Sequence, residues 1–273
     1  MLAIESALSL KYPPLAIFYA KEPPAESKKL NSLCAMSLVA EAAKGATVAL
    51  RDGGCGCPGA SSGFCLTPHD PDCFPGGRAC YFRFLSTGNK DWERGRAVLE
   101  QLRTARAPKI MIEEFSEGEG FLKTPDIAET FAASVPYTEP EGACVVIKPM
   151  RDLRSSEKPK IVAFLANPDQ LSALVGLAHF AHPQADHVKV PFGAGCQCLG
   201  AFPFHEAGQG DPKVIIGLMD ISARFYLNKL LGSDLLSFAA PFSLYLEMES
   251  NAGDSFLTRL AWRSIMKGAQ FQA

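Results

Sequence analysis

Short apolar runs and helical stripes alternate along the first part of the chain. The runs at residues 14–20 (PLAIFYA) and 46–51 (ATVALR) are predicted to be buried strands, because they are short and rich in aromatic and β-branched residues. The stretch 27–44 between them predicts an amphipathic helix. Its apolar stripe has a spacing of four and consists of Leu30, Cys34, Leu38 and Ala42.

The same order of elements returns in the second part of the chain. The run 160–166 (KIVAFLA) predicts a strand, and Asn167 followed by Pro168 predicts the start of a helix, because Asn caps helices and Pro suits their first turn. The apolar face of this helix consists of Leu171, Leu174, Val175 and Ala178. The segment 187–193 (HVKVPFG) is then predicted to be another strand.

Each strand-helix-strand unit ends in a short cysteine segment. Residues 54–60 read GCGCPGA and residues 195–201 read GCQCLGA, so five of the seven positions are identical. We infer two duplicated halves, 1–150 and 151–273, related by a pseudo-twofold axis and joined by the polar connector at 150–160. The alternative is that two common strand-helix-strand units carry loops that match by chance.

The remaining patterns complete the prediction of the fold. Helices are expected at 91–105 and 255–267, and strands at 109–115 (KIMIEEF), 144–150 (CVVIKPM) and 213–219 (KVIIGLM). The stretch 64–80 is rich in Pro, Gly and Asp and lacks periodicity, which predicts a long irregular loop. Alternating strands and helices indicate an α/β or α+β fold with a mixed sheet.

Composition excludes several classes of function. The 273 residues are 47% hydrophobic and 21% charged, with a formal charge of -2, and the chain has no basic cluster for a nucleic acid. No run approaches the roughly 18 apolar residues of a membrane helix. The start has no basic segment and contains Glu5, which argues against a secretory signal. We therefore expect a cytoplasmic protein with no membrane or nucleic-acid partner.

Nine cysteines are the unusual feature of the composition. In a reducing cytoplasm such a set indicates metal ligands or reactive thiols, and an odd number cannot pair completely within one chain. In an extended C-x-C segment both side chains leave the same face of the backbone. If the two halves face each other, Cys55, Cys57, Cys196 and Cys198 supply four thiolates to one metal centre.

Four thiolates suit either zinc or an iron–sulfur cluster. We favour a cluster, 4Fe–4S or larger, because the C-x-x-C knuckles typical of structural zinc are absent. Cys65, Cys73 and Cys80 lie close to the first cysteine segment in the sequence and could provide further ligands. Glycines beside the cysteines would let backbone N–H groups approach the sulfur atoms, and Pro58 is expected at the first position of a helix.

Other polar residues are weaker candidates. His69, Asp70 and Asp72 could add ligands or cover an open coordination position, although turn hydrogen bonds also explain such residues. Cys34 and Cys144 fall on apolar patterns, where a cysteine commonly acts as a small buried hydrophobe. Asp220 and Arg224 are four residues apart, a spacing that indicates a helical ion pair or the lining of a site beyond a strand.

These residues lead to three functional hypotheses. The first is an iron–sulfur protein that performs electron transfer or reductive chemistry. Such a protein could act with a redox partner protein, and it could form a homodimer. The second is a zinc or metal carrier, or a module for cofactor assembly. The third is a metal-free thiol enzyme in which one cysteine has a low pKa. The sequence does not identify a substrate.

The chain resembles the domain of unknown function 169 family of anaerobic bacteria and archaea. The shared stretches include YPPLAIFYA at 12–20, Cys34 before its helix, CPGA at 57–60, PFGAGCQCLGA at 191–201 and GLMDISAR at 217–224. The resemblance implies a cytoplasmic protein of anaerobic metabolism, a setting that suits oxygen-sensitive clusters. It also implies that Cys57 and one cysteine of the second segment belong to the family pattern.

Overall fold

Apolar strands from both halves of the chain assemble into one mixed sheet. The structure is a computed structural model that describes residues 3–30, 34–57 and 59–266. Contacts divide the chain into two units, Met1–Thr67 with Tyr137–Ala273, and Pro68–Pro136. The first unit contains the sheet and is called the sheet unit; the second is called the helical unit.

Seven strands form the sheet of the described residues. They are β1 (Leu15–Ala20), β2 (Val48–Arg51), β3 (Cys144–Pro149), β4 (Ile161–Ala166), β5 (Val188–Lys189), β6 (Val214–Gly217) and β7 (Leu236–Pro241). Their order is β2-β3-β1-β4-β7-β6-β5. The sheet is mixed, because β5 and β6 run parallel while the other pairs are antiparallel. The predicted mixture of strands and helices around a mixed sheet is confirmed.

Strands β1 and β4, which begin the two proposed halves, are neighbours at the centre of the sheet. Ala16 lies opposite Val162 in this pair. The outer strands of the two halves differ. Only β3 lies between β1 and β2, whereas both β7 and β6 lie between β4 and β5. The duplication, its pseudo-twofold axis and the division at residue 150 therefore stay predictions.

The helices of the described residues belong to both units. In chain order they are α1 (Ala3–Leu8), α2 (Met36–Ala43), α3 (Gly59–Gly63), α4 (Arg78–Phe84), α5 (Glu93–Thr104), α6 (Lys109–Glu117), α7 (Pro125–Ser134), α8 (Pro168–His179), α9 (Gly195–Leu199), α10 (Ala201–Ala207), α11 (Ile221–Leu231), α12 (Phe242–Asn251) and α13 (Leu260–Met266). Helices α4 to α7 form the helical unit.

Side chains alternate between the two faces of the sheet and so create two packed layers. On one face, Val162, Phe164 and Phe238 pack with apolar residues of α1, α8, α12 and α13. Helices α2, α9 and α10 pack against strands on the opposite face, where Gly217 contacts α9. The cysteine segments that follow β2 and β5 belong to this second layer.

Helix α8 begins as the sequence predicts. The side chain of Asn167 accepts a hydrogen bond from the Gln170 N–H at 2.9 Å, and the Gln170 side chain accepts one from the Asn167 N–H at 3.0 Å. This reciprocal capping box satisfies two donors at the helix start. Leu174 and Ala178 point into the core, so the predicted apolar face is confirmed.

Two predicted elements start or end at different residues in the structure. Helix α2 begins only at Met36, whereas the pattern predicted a start near residue 27; the Lys28 N–H donates to the Thr47 carbonyl at 2.8 Å instead of to a helical partner. Residues 31–33 lie outside the described ranges. The strand predicted at 187–193 is limited to the two residues of β5, and Val190 and Phe192 are exposed.

The segment KIMIEEF, predicted as a strand, forms helix α6, so this prediction was wrong. Ile112 and Phe115 are three residues apart, and both pack into the core of the helical unit. The Ile112 N–H donates to the Pro108 carbonyl at 3.1 Å, which closes the first helical turn. Contact with the core thus follows a helical period and overrides the local β-propensity of the Ile-Met-Ile run.

The end of the chain contains elements that the patterns did not reveal. Strand β7 and helix α12 follow one another within 236–251, a stretch for which no element was predicted. The closing helix is shorter than the predicted 255–267 and is preceded by a 3₁₀ turn at Phe256–Thr258; Lys267 lies outside the described residues. Within the described ranges no helix combines the length and the hydropathy needed to cross a bilayer.

Replacing Asn167 by Ala should lower the free energy of unfolding by about 1 kcal/mol, because the side chain that accepts from the Gln170 N–H is lost. Urea denaturation followed by circular dichroism measures this loss. Asn167→Asp is the control, since its carboxylate can accept from the same N–H group. Equal stability of the Ala and Asp variants would contradict the role of the cap.

Candidate metal centre

The first cysteine segment is a tight turn between β2 and α3. The Gly54 N–H donates to the Arg51 carbonyl at 2.9 Å, and Gly53 has a φ of +67°, a conformation that favours glycine. The N–H groups of Gly56 and Cys57 donate to the sulfur of Cys55. The turn therefore presents backbone donors to a thiol, as the sequence predicted. Pro58, expected at a helix start, lies outside the described residues.

The second cysteine segment is a helix, so the prediction of an extended C-x-C pair was wrong here. The Cys198 N–H donates to the Ala194 carbonyl at 3.0 Å, and the Gln197 side chain accepts from the Ala194 N–H at 2.9 Å. Two residues correspond to about 200° of helical rotation. The side chains of Cys196 and Cys198 consequently leave α9 on opposite sides.

Cys196 faces the first cysteine segment. Its Sγ lies 3.8 Å from the carbonyl oxygen of Gly59, and a Cβ at Gly63 would lie only 2.3 Å from that Sγ. A Cβ at Gly200 would likewise lie 2.3 Å from the Gly63 carbonyl oxygen. Helices α3 and α9 thus approach each other so closely that only glycine fits at these positions.

Cys198 faces strand β6. A Cβ at Gly217 would lie 2.2 Å from the Cβ of Cys198, and the Cys198 sulfur lies 3.7 Å from the Gly193 carbonyl oxygen. The sulfur also accepts from the Leu218 N–H. This predicted ligand is therefore packed between helix and sheet, on the side of α9 opposite to Cys196.

Cys34 joins the two segments from a third part of the chain. It precedes α2, and its sulfur accepts from the Met36 N–H. Burial is the largest cause that raises the pKa of Cys34 and of Cys196; the charges of Cys57 and Cys55 add to the shift of Cys34, and those of Cys57 and Cys34 add to the shift of Cys196. We call Cys34, Cys55, Cys57 and Cys196 the thiol cluster, because these interactions link all four side chains.

The thiol cluster is more open than the ligand set of one small ion. Among the described residues, no three cysteine sulfur atoms all lie within 4.8 Å of one another. A tetrahedral zinc ion with Zn–S bonds of about 2.3 Å would bring its sulfur ligands to roughly 3.8 Å from one another. The sulfur atoms of the thiol cluster are therefore farther apart than the ligands of one tetrahedral zinc ion.

Burial dominates the electrostatics of these thiols. It is the largest cause that raises the pKa of Cys34 to about 12 and the pKa of Cys196 well above its usual value. Burial also raises the pKa of Cys55. A reactive thiolate needs the opposite shift, which a neighbouring cation supplies. A bound metal cation would stabilise the thiolates that burial disfavours.

Asp220 is a buried carboxylate beside the thiol cluster. Its oxygens accept from the Gly195 N–H at 3.2 Å and from the Ser222 N–H at 2.8 Å, so it caps α11 and holds the start of α9. Burial raises its pKa, and its charge raises the pKa of Cys34 and of Cys196. Arg224 donates to the carbonyls of Leu235 and Ser233 rather than to Asp220, so the helical ion pair was a wrong prediction.

Two further cysteines of the sheet unit contact other partners. Cys65, predicted as an extra ligand, is fully buried and accepts from the Thr138 N–H. Burial, and after it the charge of Cys65, raises the pKa of Tyr19. Cys144 lies in β3 with its Sγ 3.3 Å from the Ala20 carbonyl oxygen, as a structural role requires. Burial raises the pKa of both thiols.

The remaining predicted ligands belong to the helical unit. Cys80 is buried in its apolar core beside Val98 and Phe115. Cys73 is exposed, and its Sγ donates to the Asp70 carboxylate at 3.1 Å. His69 packs on Tyr81, with ring centroids 5.0 Å apart, and Asp72 pairs with Arg78 at 3.2 Å. Each of these residues therefore has a structural contact within the helical unit.

Cys34 is the member of the thiol cluster that periodicity did not identify. The predicted stripe assigned it to the buried face of a helix, but that helix begins two residues later. A usable signal was its place directly before a helix in a stretch shared with the resembling family. Its proximity to Cys57 depends on the packing of α2 against α11 and β2, which no local pattern reveals.

Comparisons with known proteins identify a family but no activity. The family model of domain of unknown function 169, described as uncharacterised ArCR, matches residues 3–251. The chain therefore belongs to this family, as the resemblance predicted. Neither the curated proteins nor the solved structures gave a match.

Replacing Gly63 by Ala should lower the free energy of unfolding by about 2 kcal/mol, because the new methyl group overlaps the sulfur of Cys196. Denaturation in the presence of a chelator measures this cost without a contribution from metal. Gly210→Ala is the matched control, since nothing lies within 4 Å of a Cβ there.

The cost of Gly63→Ala should shrink when Cys196 is already Ala, because the overlapping sulfur has gone. Equal costs of Gly63→Ala and Gly210→Ala would refute the direct packing of α3 on α9.

Proposed function

We propose that this member of the domain of unknown function 169 family binds an iron–sulfur cluster through Cys34, Cys55, Cys57 and Cys196. The observation that carries the proposal is the packing of three distant segments at one place. The Cys196 Sγ lies 3.8 Å from the Gly59 carbonyl oxygen, and a Cβ at Gly59 would lie 3.8 Å from the Cys57 Sγ. A Cβ at Gly195 would lie 2.9 Å from the sulfur of Met36, two residues after Cys34. A 4Fe–4S cluster takes four cysteine ligands. The proposed set replaces Cys198, whose sulfur lies against Gly217, by Cys34.

Backbone donors around the sulfur atoms support a cluster. The Met36 N–H donates to Cys34, and the N–H groups of Gly56 and Cys57 donate to Cys55. Hydrogen bonds to sulfur lower the cost of gathering several thiolates and tune the reduction potential of a cluster. Burial of Cys196 supplies the second factor that sets such a potential.

The proposed role is electron transfer or reductive chemistry at the cluster, in a cytoplasmic protein of anaerobic metabolism that exchanges electrons with a redox partner protein. Two other roles receive less support. Zinc bound by thiolates requires closer sulfur atoms than those of the thiol cluster. A metal-free thiol enzyme requires a lowered pKa, whereas burial raises the pKa of Cys34, Cys55 and Cys196.

Changing Cys34, Cys57 or Cys196 singly to Ser should reduce the bound iron and acid-labile sulfide by more than about half, because each variant removes one cluster ligand. The protein is purified anaerobically, reconstituted with iron and sulfide, and assayed for both elements together with its visible and electron paramagnetic resonance spectra. Cys144→Ser and Cys80→Ser are the controls, because these buried cysteines lie outside the proposed set.

Cys198→Ser separates the two possible ligand sets. It should keep the cluster if Cys34 is the fourth ligand, and lose it if Cys198 is. Reconstituted wild-type protein that contains no iron would refute the proposal, and one equivalent of zinc without colour would support the metal carrier instead.

Replacing Asp220 by Asn should shift the reduction potential of the cluster to a more positive value. The change removes a negative charge near Cys34 and Cys196, while the amide oxygen can still cap α11. Redox titration followed by electron paramagnetic resonance measures the shift. Asp254→Asn, an exposed substitution, should leave the potential unchanged, and an unchanged potential in both variants would contradict the role of Asp220.

A further inference from the structure

Two histidines and an aspartate from three connections of the sheet unit meet at one point. His182 follows α8, His187 directly precedes β5, and Asp211 lies in the turn before β6. One ligand atom from each residue lies within 4.8 Å of the others, and this is the one such group of three among the described residues. The group, which we call the histidine cluster, shares no residue with the thiol cluster.

His187 is the buried member of the histidine cluster. Its side chain is 1% exposed, and neither ring nitrogen has a hydrogen-bond partner among the described residues. A buried polar group without a partner is costly, and native proteins usually satisfy it with protein, water or an ion. The ring of His187 therefore indicates a ligand that is small enough to reach a buried nitrogen.

The surroundings of His187 favour the neutral imidazole, which is the form that binds metals. Burial is the largest cause that lowers its pKa, followed by the charges of His182 and Lys213, whereas Asp211 acts in the opposite direction. The rings of His182 and His187 are stacked with centroids 3.7 Å apart. Protonation of both rings would bring two positive charges into contact, while one divalent ion can be shared by two neutral rings.

Charged and aromatic side chains from neighbouring elements surround the histidine cluster. Asp211 lies 4.0 Å from Nδ1 of His187 and 2.7 Å from the ammonium of Lys213. Glu247 of α12 lies 3.0 Å from Nε2 of His182, at an angle that does not form a hydrogen bond. His179 faces His187 edge-on, with ring centroids 6.1 Å apart, and its own nitrogens contact the carbonyls of Val175 and Ala185.

We propose that His182, His187 and Asp211 bind one divalent transition-metal ion of the zinc type. Two imidazoles and one carboxylate form a ligand set that such borderline ions prefer, in contrast to the oxygen ligands of magnesium and calcium. Asp211 is 66% exposed, so the ion keeps a coordination position that solvent can reach, as in open zinc sites. Once the ring of His182 has turned toward the ion, Glu247 is close enough to accept a hydrogen bond from its other nitrogen.

The lone pair of each imidazole nitrogen lies in the plane of its ring, and the two rings are stacked, so one ring must turn before both can bind the same ion. His182 is 23% exposed and belongs to the turn after α8, so its ring can rotate out of the stack toward the ion while His187 stays in place. The carboxylate of Asp211 leaves its ion pair with the ammonium of Lys213 and coordinates the metal ion instead. The ligand set contains no sulfur, so this site does not depend on the proposed iron–sulfur cluster.

Cobalt and zinc titrations of the metal-stripped, full-length protein test the proposal. Wild-type protein should bind, in addition to any Co²⁺ at its thiols, one equivalent of Co²⁺ whose ligand-field bands come without further sulfur-to-cobalt charge transfer, and Zn²⁺ should displace it. Asp211→Asn and His182→Gln should weaken binding at least about tenfold, because each removes a ligand. Both residues are accessible to solvent, so the variants should fold; His187→Gln serves as a third variant if circular dichroism shows a native fold.

Matched controls separate this site from general metal binding. His205→Gln changes an exposed histidine that bonds Gln209, and Asp254→Asn changes an exposed aspartate; both should bind Co²⁺ as the wild type does. Cys57→Ser should also retain the sulfur-free site, even where it loses iron. Equal affinity of wild type, Asp211→Asn and His182→Gln, or a Co²⁺ spectrum that shows only thiolate ligands, would overturn the proposal.

Discussion

Close contact between α3 and α9 is the constraint on which the thiol cluster depends. The two helices belong to distant parts of the chain, yet a methyl group at Gly63 or at Gly200 would overlap its neighbour. Gly195 extends the same packing, because a Cβ there would lie 2.7 Å from Ala223 and 2.9 Å from the Met36 sulfur. Small residues thus let α2, α3, α9 and α11 gather at one place, and the cysteines that flank these helices converge as a result.

The two metal sites that we propose for the sheet unit differ in their chemistry. The thiol cluster offers soft sulfur ligands with backbone donors around them, which suit iron–sulfur chemistry. The histidine cluster offers neutral nitrogens and a carboxylate, which suit a borderline divalent ion. Each site is assembled from connections between the elements of the sheet unit, at His187 before β5 and at Cys55 after β2. A rigid sheet can hold such connecting segments in fixed positions, because they are anchored at both ends.

Local patterns revealed every described strand except β7 but fewer than half of the described helices, and their failures have physical causes. The run at 160–166 and the cap at Asn167 were predictable because burial and capping act within a few residues. Segment 109–117 became a helix because its contacts with the core of the helical unit have a helical period. The repeated letters of the cysteine segments suggested one conformation, but backbone hydrogen bonds make only the second a helix. Cys34 entered the site through packing between elements, which the sequence does not encode locally.

The helical form of the second cysteine segment also affects how the protein responds to air. Because the Cβ atoms of Cys196 and Cys198 diverge around α9, these neighbours in sequence cannot form a disulfide with each other without unwinding the helix. An oxidant that reaches Cys196 could join it only to a sulfur from another segment, and Cys57 and Cys34 are the thiols whose charges act on it most. Such a disulfide would link α9 to the turn before α3 or to the start of α2. Oxidative damage would therefore crosslink neighbouring helices of one layer.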